Sequence, residues 1–299
     1  MGVFTYFAYF FIVFMYSVKI VKYIKLPVHL RWELYPIGHE KKSKYGGSYL
    51  EEKDWWQKPR KKNTWKSFFS LLREYFVLSD YAKRNITYWI GIYPWHIGFL
   101  LIITFHILCF VSGLLLAKGF DVSSRSLGFG SKFLYYGILI TGSISFFSGM
   151  IGSIGVLMNR IFRRDLREYA TPLNFLTYFF TFLVFFTGFY SWFFTDPEFK
   201  EYRIFWAGLV TQDFKDVGFW TMIHILSFDL FLIYLPFTRS LHYITRFLAF
   251  FLIRWDDEPN IPGGRLEKKL IRLFEKKVSW SAPHIQKGKK WGELARSIP

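Results

Sequence analysis

The sequence predicts an all-α, polytopic membrane protein with five transmembrane helices, and two observations carry that prediction. Aromatic residues make up 23% of the chain, Phe alone numbering 37, and they gather in long uncharged runs. A run of about 18 to 25 apolar residues spans the hydrocarbon core of a bilayer. Five such runs occur, near 3–20, 95–117, 133–157, 173–194 and 217–236. The second observation is the placement of charge. A net charge of +17 would suit a nucleic-acid ligand, but 33 of the 39 Lys and Arg lie in 19–84, 158–171 and 239–299. Those are the connections on one side of the five runs, and basic residues are retained on the cytoplasmic face. The charge is a topology signal. It predicts a multi-pass protein of the cytoplasmic membrane, N-terminus outside and C-terminus inside, with no nucleic-acid partner.

Each segment has its own reason. Residues 1–25 read as a retained anchor, because Lys19, Lys22 and Lys25 follow the apolar run instead of preceding it. Residues 26–94 form a cytoplasmic loop, far longer than an ordinary connection, with turn signals at Tyr35-Pro36 and Gly46-Gly47. Within it Trp65, Phe68, Phe69, Leu72, Tyr75 and Phe76 recur at helical spacing against Lys66 and Arg73. That pattern predicts an interfacial helix over 64–78, with a solvent helix capping the bundle as the alternative. The core spans 95–253. Its second helix carries Gly137, Gly142, Ser145, Gly149, Gly152 and Gly155, small residues that admit close helix packing or make room for a flat cofactor. The third, 173–194, has no ionisable residue and reads as packing. The fourth continues past Pro236 as helix toward residue 253. The tail, 254–299, begins as an irregular linker, forms a short amphipathic helix over 266–277, and cannot bury a core of its own. It reads as an arm ordered against a cytoplasmic partner. Cys109, the one cysteine, can form no intrachain disulfide and cannot hold an iron–sulfur cluster, so any such cluster belongs to a partner.

Four histidines stand out within the apolar runs. His96 and His106 lie on the second run, ten residues or about 15 Å apart and about 80° apart around the helix. His224 and His242 lie eighteen residues apart, five full turns or about 27 Å on a continuous helix. The two runs are antiparallel, so His96 and His242 fall near the cytoplasmic face and His106 and His224 nearer the outer face. Ionisable side chains inside a membrane are costly and functional by default. Electron-transfer haem iron takes two axial side-chain ligands from opposite sides of the ring, His among them, and facing helices supply cofactor ligands in bundles. Two non-covalent haems b would account for all four, since no Cys-x-x-Cys-His motif is present. The bundle then reads as a haem-binding one. The unequal separations of 15 and 27 Å require helix tilt and a kink at Pro236 to match both pairs. The bland reading is polar glue between helices. Arg160, Arg163, Arg164 and Arg239 are placed to neutralise haem propionates, or are positive-inside residues only.

The His96/His106 and His224/His242 spacings and the segment YLPFTRSLHY resemble the dihaem cytochrome b, or gamma, subunit of respiratory nitrate reductases, over roughly 95–250. The stretches HLRWELYPIGHE, KYGGSYLEEKDWWQKP and WSAPHIQKGKKWGELA are similar to a sub-branch, the cytochrome b subunits of sulfate-reducer membrane complexes of the Dsr and Tmc types. The resemblance implies pairing of His96 with His242 at an inner haem iron and of His106 with His224 at an outer one. It implies (mena)quinone chemistry beside the outer haem, with Lys132 near the quinone and Lys118 as the alternative. It implies a cytoplasmic heterodisulfide-reductase-like iron–sulfur subunit as partner, and admits a periplasmic cytochrome c. Asp229 departs from the family pattern; proton relay, haem-side hydrogen bond and partner for another helix all stay open. No residue reads as a nucleophile or general base for substrate chemistry. The expectation is an electron-transfer subunit of an oxidoreductase complex, not a complete enzyme. The alternatives are a haem-free membrane anchor or scaffold, and the cytochrome b of a hydrogenase or formate dehydrogenase. A transporter is disfavoured, because no inverted repeat or pair of broken helices is visible.

Overall fold

The computed structural model describes residues 1–25, 53–54, 64–238, 241–242, 244–245 and 262–296. The described residues form two compact units, 1–16 with 73–240 and 17–72 with 241–299. Among them every regular element is helical, and five helices are long and apolar enough to cross a membrane. The all-α, multi-pass class is therefore as the apolar runs predict. Residues 26–52, 55–63 and 246–261, with Arg239, Ser240 and Tyr243, lie outside the described residues, and with them most of the early loop and of the linker.

Helix α1, Gly2–Ile24, meets the bundle along Gly2, Thr5 and Ala8, one residue per turn. Its other faces leave Phe7, Phe10, Val13 and Phe14 exposed, as a lipid-facing helix requires. The Tyr6 hydroxyl donates to the Leu209 carbonyl. Helix α2, Thr64–Val77, ends where Leu78 turns to a left-handed φ of 50°, and α3, Ser79–Arg84, follows. The helix expected over 64–78 is present as α2, and Trp65, Phe69 and Phe76 are exposed along one stripe of it.

The next boundary differs from the sequence reading. Helix α4 runs Ile86–Ala117, beginning nine residues before Trp95 and passing through Pro94. Asn85 starts it, its side-chain oxygen accepting the Tyr88 N–H at 3.0 Å, a satisfied N-cap. His96 therefore sits about 15 Å inside the helix start rather than at its end.

Helix α5, Phe129–Phe162, lies against α4 through its small residues. A Cβ on Gly98 would come within 2.6 Å of Gly149 Cα, and one on Gly155 within 2.9 Å of the Gly91 carbonyl oxygen. The Ser145 hydroxyl donates across the seam to the Gly98 carbonyl at 2.8 Å. The Gly/Ser stripe thus serves backbone-close helix packing along this seam. The short α6, Arg164–Arg167, closes that end. There Arg160 donates to the Leu166 carbonyl at 2.9 Å, Arg163 pairs with Asp165 at 2.8 Å, and Arg164 pairs with Glu168 at 2.8 Å. Arg160, Arg163 and Arg164, offered as propionate partners, are thus engaged locally, while Arg239, offered with them, lies outside the described residues.

Helix α7, Pro172–Tyr190, opens on a Pro in its first turn and on Asn174, which accepts the Thr171 N–H at 2.9 Å. It ends in a π-helical turn, Ser191–Thr195. The connection expected over 195–216 holds a further helix, α8, Lys200–Thr211. The Asp196 carboxylate accepts the Lys200 and Glu201 N–H groups, each at 2.8 Å, and so satisfies two donors of the first turn. Gly113 of α4 allows α8 to settle on it, since a Cβ there would lie 2.8 Å from the Trp206 backbone.

Helix α9, Phe219–Tyr234, passes into a 3₁₀ turn at Leu235–Phe237, and Thr238 is extended. The expected continuous helix from His224 to His242 is therefore interrupted. Pro236 has no N–H to continue the ladder and its ring crowds the preceding turn. Five full turns no longer relate the two histidines.

The tail also corrects its expectation. Helix α10, Arg265–Phe274, and α11, Trp291–Arg296, flank a segment closed by backbone pairing. Val278 N–H donates to the Lys289 carbonyl and Gly288 N–H to the Val278 carbonyl, both at 2.9 Å, with Gly288 at φ 91°. This closure buries Val278, Ile285 and Leu294 together, a small core of the tail's own.

Candidate functional site

The strongest departure from an ordinary apolar bundle lies where α4, α7, α8 and α9 converge on two imidazoles. His106 is 8% exposed and His224 fully buried. His224 Nδ1 lies 3.0 Å from the Val184 carbonyl and 3.3 Å from the Thr187 hydroxyl. A carbonyl only accepts, so Nδ1 carries the proton and Nε2 carries a lone pair. That Nε2 is buried without a hydrogen-bond partner, and so are both ring nitrogens of His106. Buried polar atoms are almost always paired, so three orphaned imidazole nitrogens call for a reason.

The surroundings are aromatic. Phe228 lies parallel over His106 at 4.0 Å between ring centroids and near-parallel to His224 at 6.2 Å. Phe146 and Tyr202 meet His224 edge-on at 4.8 and 5.7 Å. Phe199, held at φ 54° just before α8, packs on Phe105 and Phe146. Burial keeps the Tyr202 phenol protonated, well above its ordinary range. Glycines make the close approach possible. A Cβ on Gly188 would lie 2.6 Å from Phe146 and 2.8 Å from His224 Cε1, and one on Gly142 would meet Phe199 and Phe105 at 2.7 and 2.8 Å.

The other expected residues sit elsewhere. His96 is half-buried on α4, its Nε2 2.6 Å from the Tyr75 carbonyl, to which it donates. His242 is exposed and belongs to the second compact unit, while His96 belongs to the first. Lys132 is exposed in the first turn of α5. Asp229 is 1% exposed and accepts a 2.6 Å hydrogen bond from the Thr5 hydroxyl. Of the three roles open to it, the structure gives it a partner on another helix. The histidines brought together are His106 and His224.

His106 and His224, with unpartnered ring nitrogens, are the described residues that could hold a haem iron at this site. A ligating His holds its second nitrogen on a carbonyl or carboxylate, which fixes ring and tautomer, and the Val184 carbonyl does this for His224. Among the described residues no group of three or more His, Cys, Asp or Glu could hold a metal ion. Two imidazoles suffice only for a group that brings its own equatorial ligands. Phe228 covers the face of His106, so admitting such a group requires that ring to turn aside.

Sequence reasoning missed Thr5, Val184, Thr187, Tyr202, Phe199 and Phe228. A hydroxyl in the first turn of an apolar run and a Gly at 188 were the available signals. Apart from the Thr187 hydroxyl, the remaining contacts are backbone or aromatic, and so carry no distinctive residue type. Comparison with family models, with curated proteins and with solved structures found no match.

Proposed function

We propose that this chain is a membrane dihaem cytochrome b subunit that moves electrons between the (mena)quinone pool and a cytoplasmic, heterodisulfide-reductase-like iron–sulfur subunit. The observation that supports it best is the pair of buried imidazoles with unpartnered ring nitrogens, one aligned by the Val184 carbonyl. His106 and His224 would hold the outer haem, and His96 and His242 the inner one. The inner pair rests on the family resemblance, since the break at Leu235–Phe237 removes the five-turn relation between His224 and His242. His96 would have to release the Tyr75 carbonyl to ligate through Nε2.

When bound, haem supplies one-electron chemistry at the iron. The chain's part is to fix the imidazoles and exclude water, which Phe105, Phe146, Phe199 and Tyr202 do by packing around them. A quinone ring would approach from the outer end, where Lys132 is exposed. The positive-inside distribution supports an outside N-terminus and an inside C-terminus in the cytoplasmic membrane, with the basic segments facing the partner. A periplasmic cytochrome c is compatible with this reading.

A pyridine haemochrome assay on the purified protein tests the reading. Two haems b per chain are expected, and a haem-free protein overturns it. His224→Ala should remove the outer haem and quinol-driven reduction while leaving the inner one, so haem content falls by half. A second reading, a haem-free membrane anchor, draws on the filled site, where Phe228 already covers His106. A colourless protein that assembles normally would favour it.

A further inference from the structure

The tail folds around three buried residues, yet its largest apolar side chains are not among them. Val278, Ile285 and Leu294 form its core. Ile271 is 55% exposed, Phe274 45%, Trp280 48% and Trp291 37%. The two indoles lie 6.3 Å apart between ring centroids. Phe274 also sits beside Gly292 of α11, where a Cβ would meet Phe274 Cβ at 3.2 Å. The exposed rings are thus joined through one small folded body.

The register of α10 sorts the rest. At 100° per residue, Leu270, Ile271, Leu273 and Phe274 fall within an arc of about 160°, and Lys268, Lys269 and Arg272 within an arc of about 100° on the other side. Lys268, Lys269 and Arg272 are exposed. Residues 262–296 carry ten Lys and Arg against three Glu. A protein that covered the apolar arc would also have to answer seven surplus cations. An anionic lipid surface answers both demands, because it takes apolar rings below the headgroups and pairs cations with phosphates.

We propose that the folded tail, through α10 with Trp280 and Trp291, is a docking surface for anionic phospholipid headgroups. Ile271 and Phe274 enter the interface, the indoles sit at headgroup level where amphipathic rings are favoured, and Lys268 and Lys269 border the apolar arc on its two edges, with Arg272 on the far side. This inference concerns the tail alone and stands whether or not the bundle holds haem.

Amide hydrogen exchange of the full-length chain tests it, in nanodiscs of phosphatidylcholine alone or with about 30% phosphatidylglycerol. Exchange across α10 and around Trp280 and Trp291 is expected to slow roughly tenfold in the anionic discs only. The protection should disappear in about 0.5 M salt, which screens such contacts within a few ångströms. It should also disappear in the triple variant Lys268→Glu/Lys269→Glu/Arg272→Glu. The Val278 amide, bonded to the Lys289 carbonyl, reports whether the tail stays folded in every sample. If the triple variant loses that protection, Lys268→Ala/Lys269→Ala takes its place. Equal exchange in both discs overturns the proposal, as does protection that survives loss of charge. Protection that appears only when a soluble partner protein is added overturns it in favour of protein docking.

Discussion

Thr5 and Asp229 show how much one hydrogen bond can decide inside an apolar bundle. The Thr5 hydroxyl donates at 2.6 Å to a side chain that is otherwise surrounded by helices. Removing one partner leaves a buried carboxyl unsatisfied, whereas removing both leaves two apolar surfaces. Thr5→Val is expected to destabilise the chain by about 1–3 kcal/mol, and Thr5→Val/Asp229→Leu to recover most of that loss, measured by thermal unfolding in detergent. A second residue-scale expectation concerns Asp121, outside the spans. Hydrogen bonds from Ser123 and Ser126 hold its carboxyl below the ordinary range. A depressed folded-state value means this support is present above the ordinary carboxylate range and is lost as pH falls through the lowered value. Protection of the Arg125 amide, which bonds the Ser123 hydroxyl at 3.2 Å, measured relative to its intrinsic exchange rate, should therefore fall only in strong acid, and Asp121→Asn should remove that fall. His106 and His224 were legible in the sequence because an imidazole in an apolar run is conspicuous. Their aligning partners were not, since a backbone carbonyl such as that of Val184 leaves no mark on residue type.

The α4–α5 seam is an element held by what its residues lack. Gly98 faces Gly149 so closely that an added Cβ would meet main-chain atoms at 2.6 and 2.8 Å. Main chain cannot rotate away, so Gly98→Ala should destabilise by about 1–3 kcal/mol. Gly130, in the first turn of α5, has open space where a Cβ would go, and Gly130→Ala should be neutral or stabilising by up to about 1 kcal/mol. Denaturant titration of the two variants side by side checks the contrast. The spans were legible because a bilayer demands long uncharged runs. The start of α4 was not, because Pro94 and the aromatic residues before it read as loop, while Asn85 capping set the true boundary. Helix α8 was hidden by its mixed sequence, KEYRIFWAGLVT, which buries Tyr202, Phe205 and Leu209 on one side only. At Pro236 the expectation erred the other way, carrying a helix through a residue that ends it.

The whole molecule offers a topology test that needs no knowledge of absolute orientation. Among the described residues three candidate spans separate the 118–128 connection from the tail, and if each of them crosses the bilayer the two lie on opposite sides. Cys109 is the one cysteine and is fully buried. Ser124→Cys and Ser281→Cys should therefore react with an impermeant maleimide from opposite sides of sealed vesicles, while the parent chain stays unlabelled. The all-α class and the five helices long and apolar enough to cross a membrane were legible from composition. The folded tail was not, because a core of three residues closed by a few backbone bonds leaves almost no apolar periodicity to read. The Thr5–Asp229 contact also has a bearing on biogenesis. Its partners are 224 positions apart, and at about 5–20 residues per second the ribosome needs roughly 10–45 s to make the second after the first. Through that interval the first helix must wait in the bilayer, without its acidic partner, for the last span to arrive. A nascent chain arrested before residue 229 should leave that helix loosely held, and its release would mark the moment at which the bundle closes on itself.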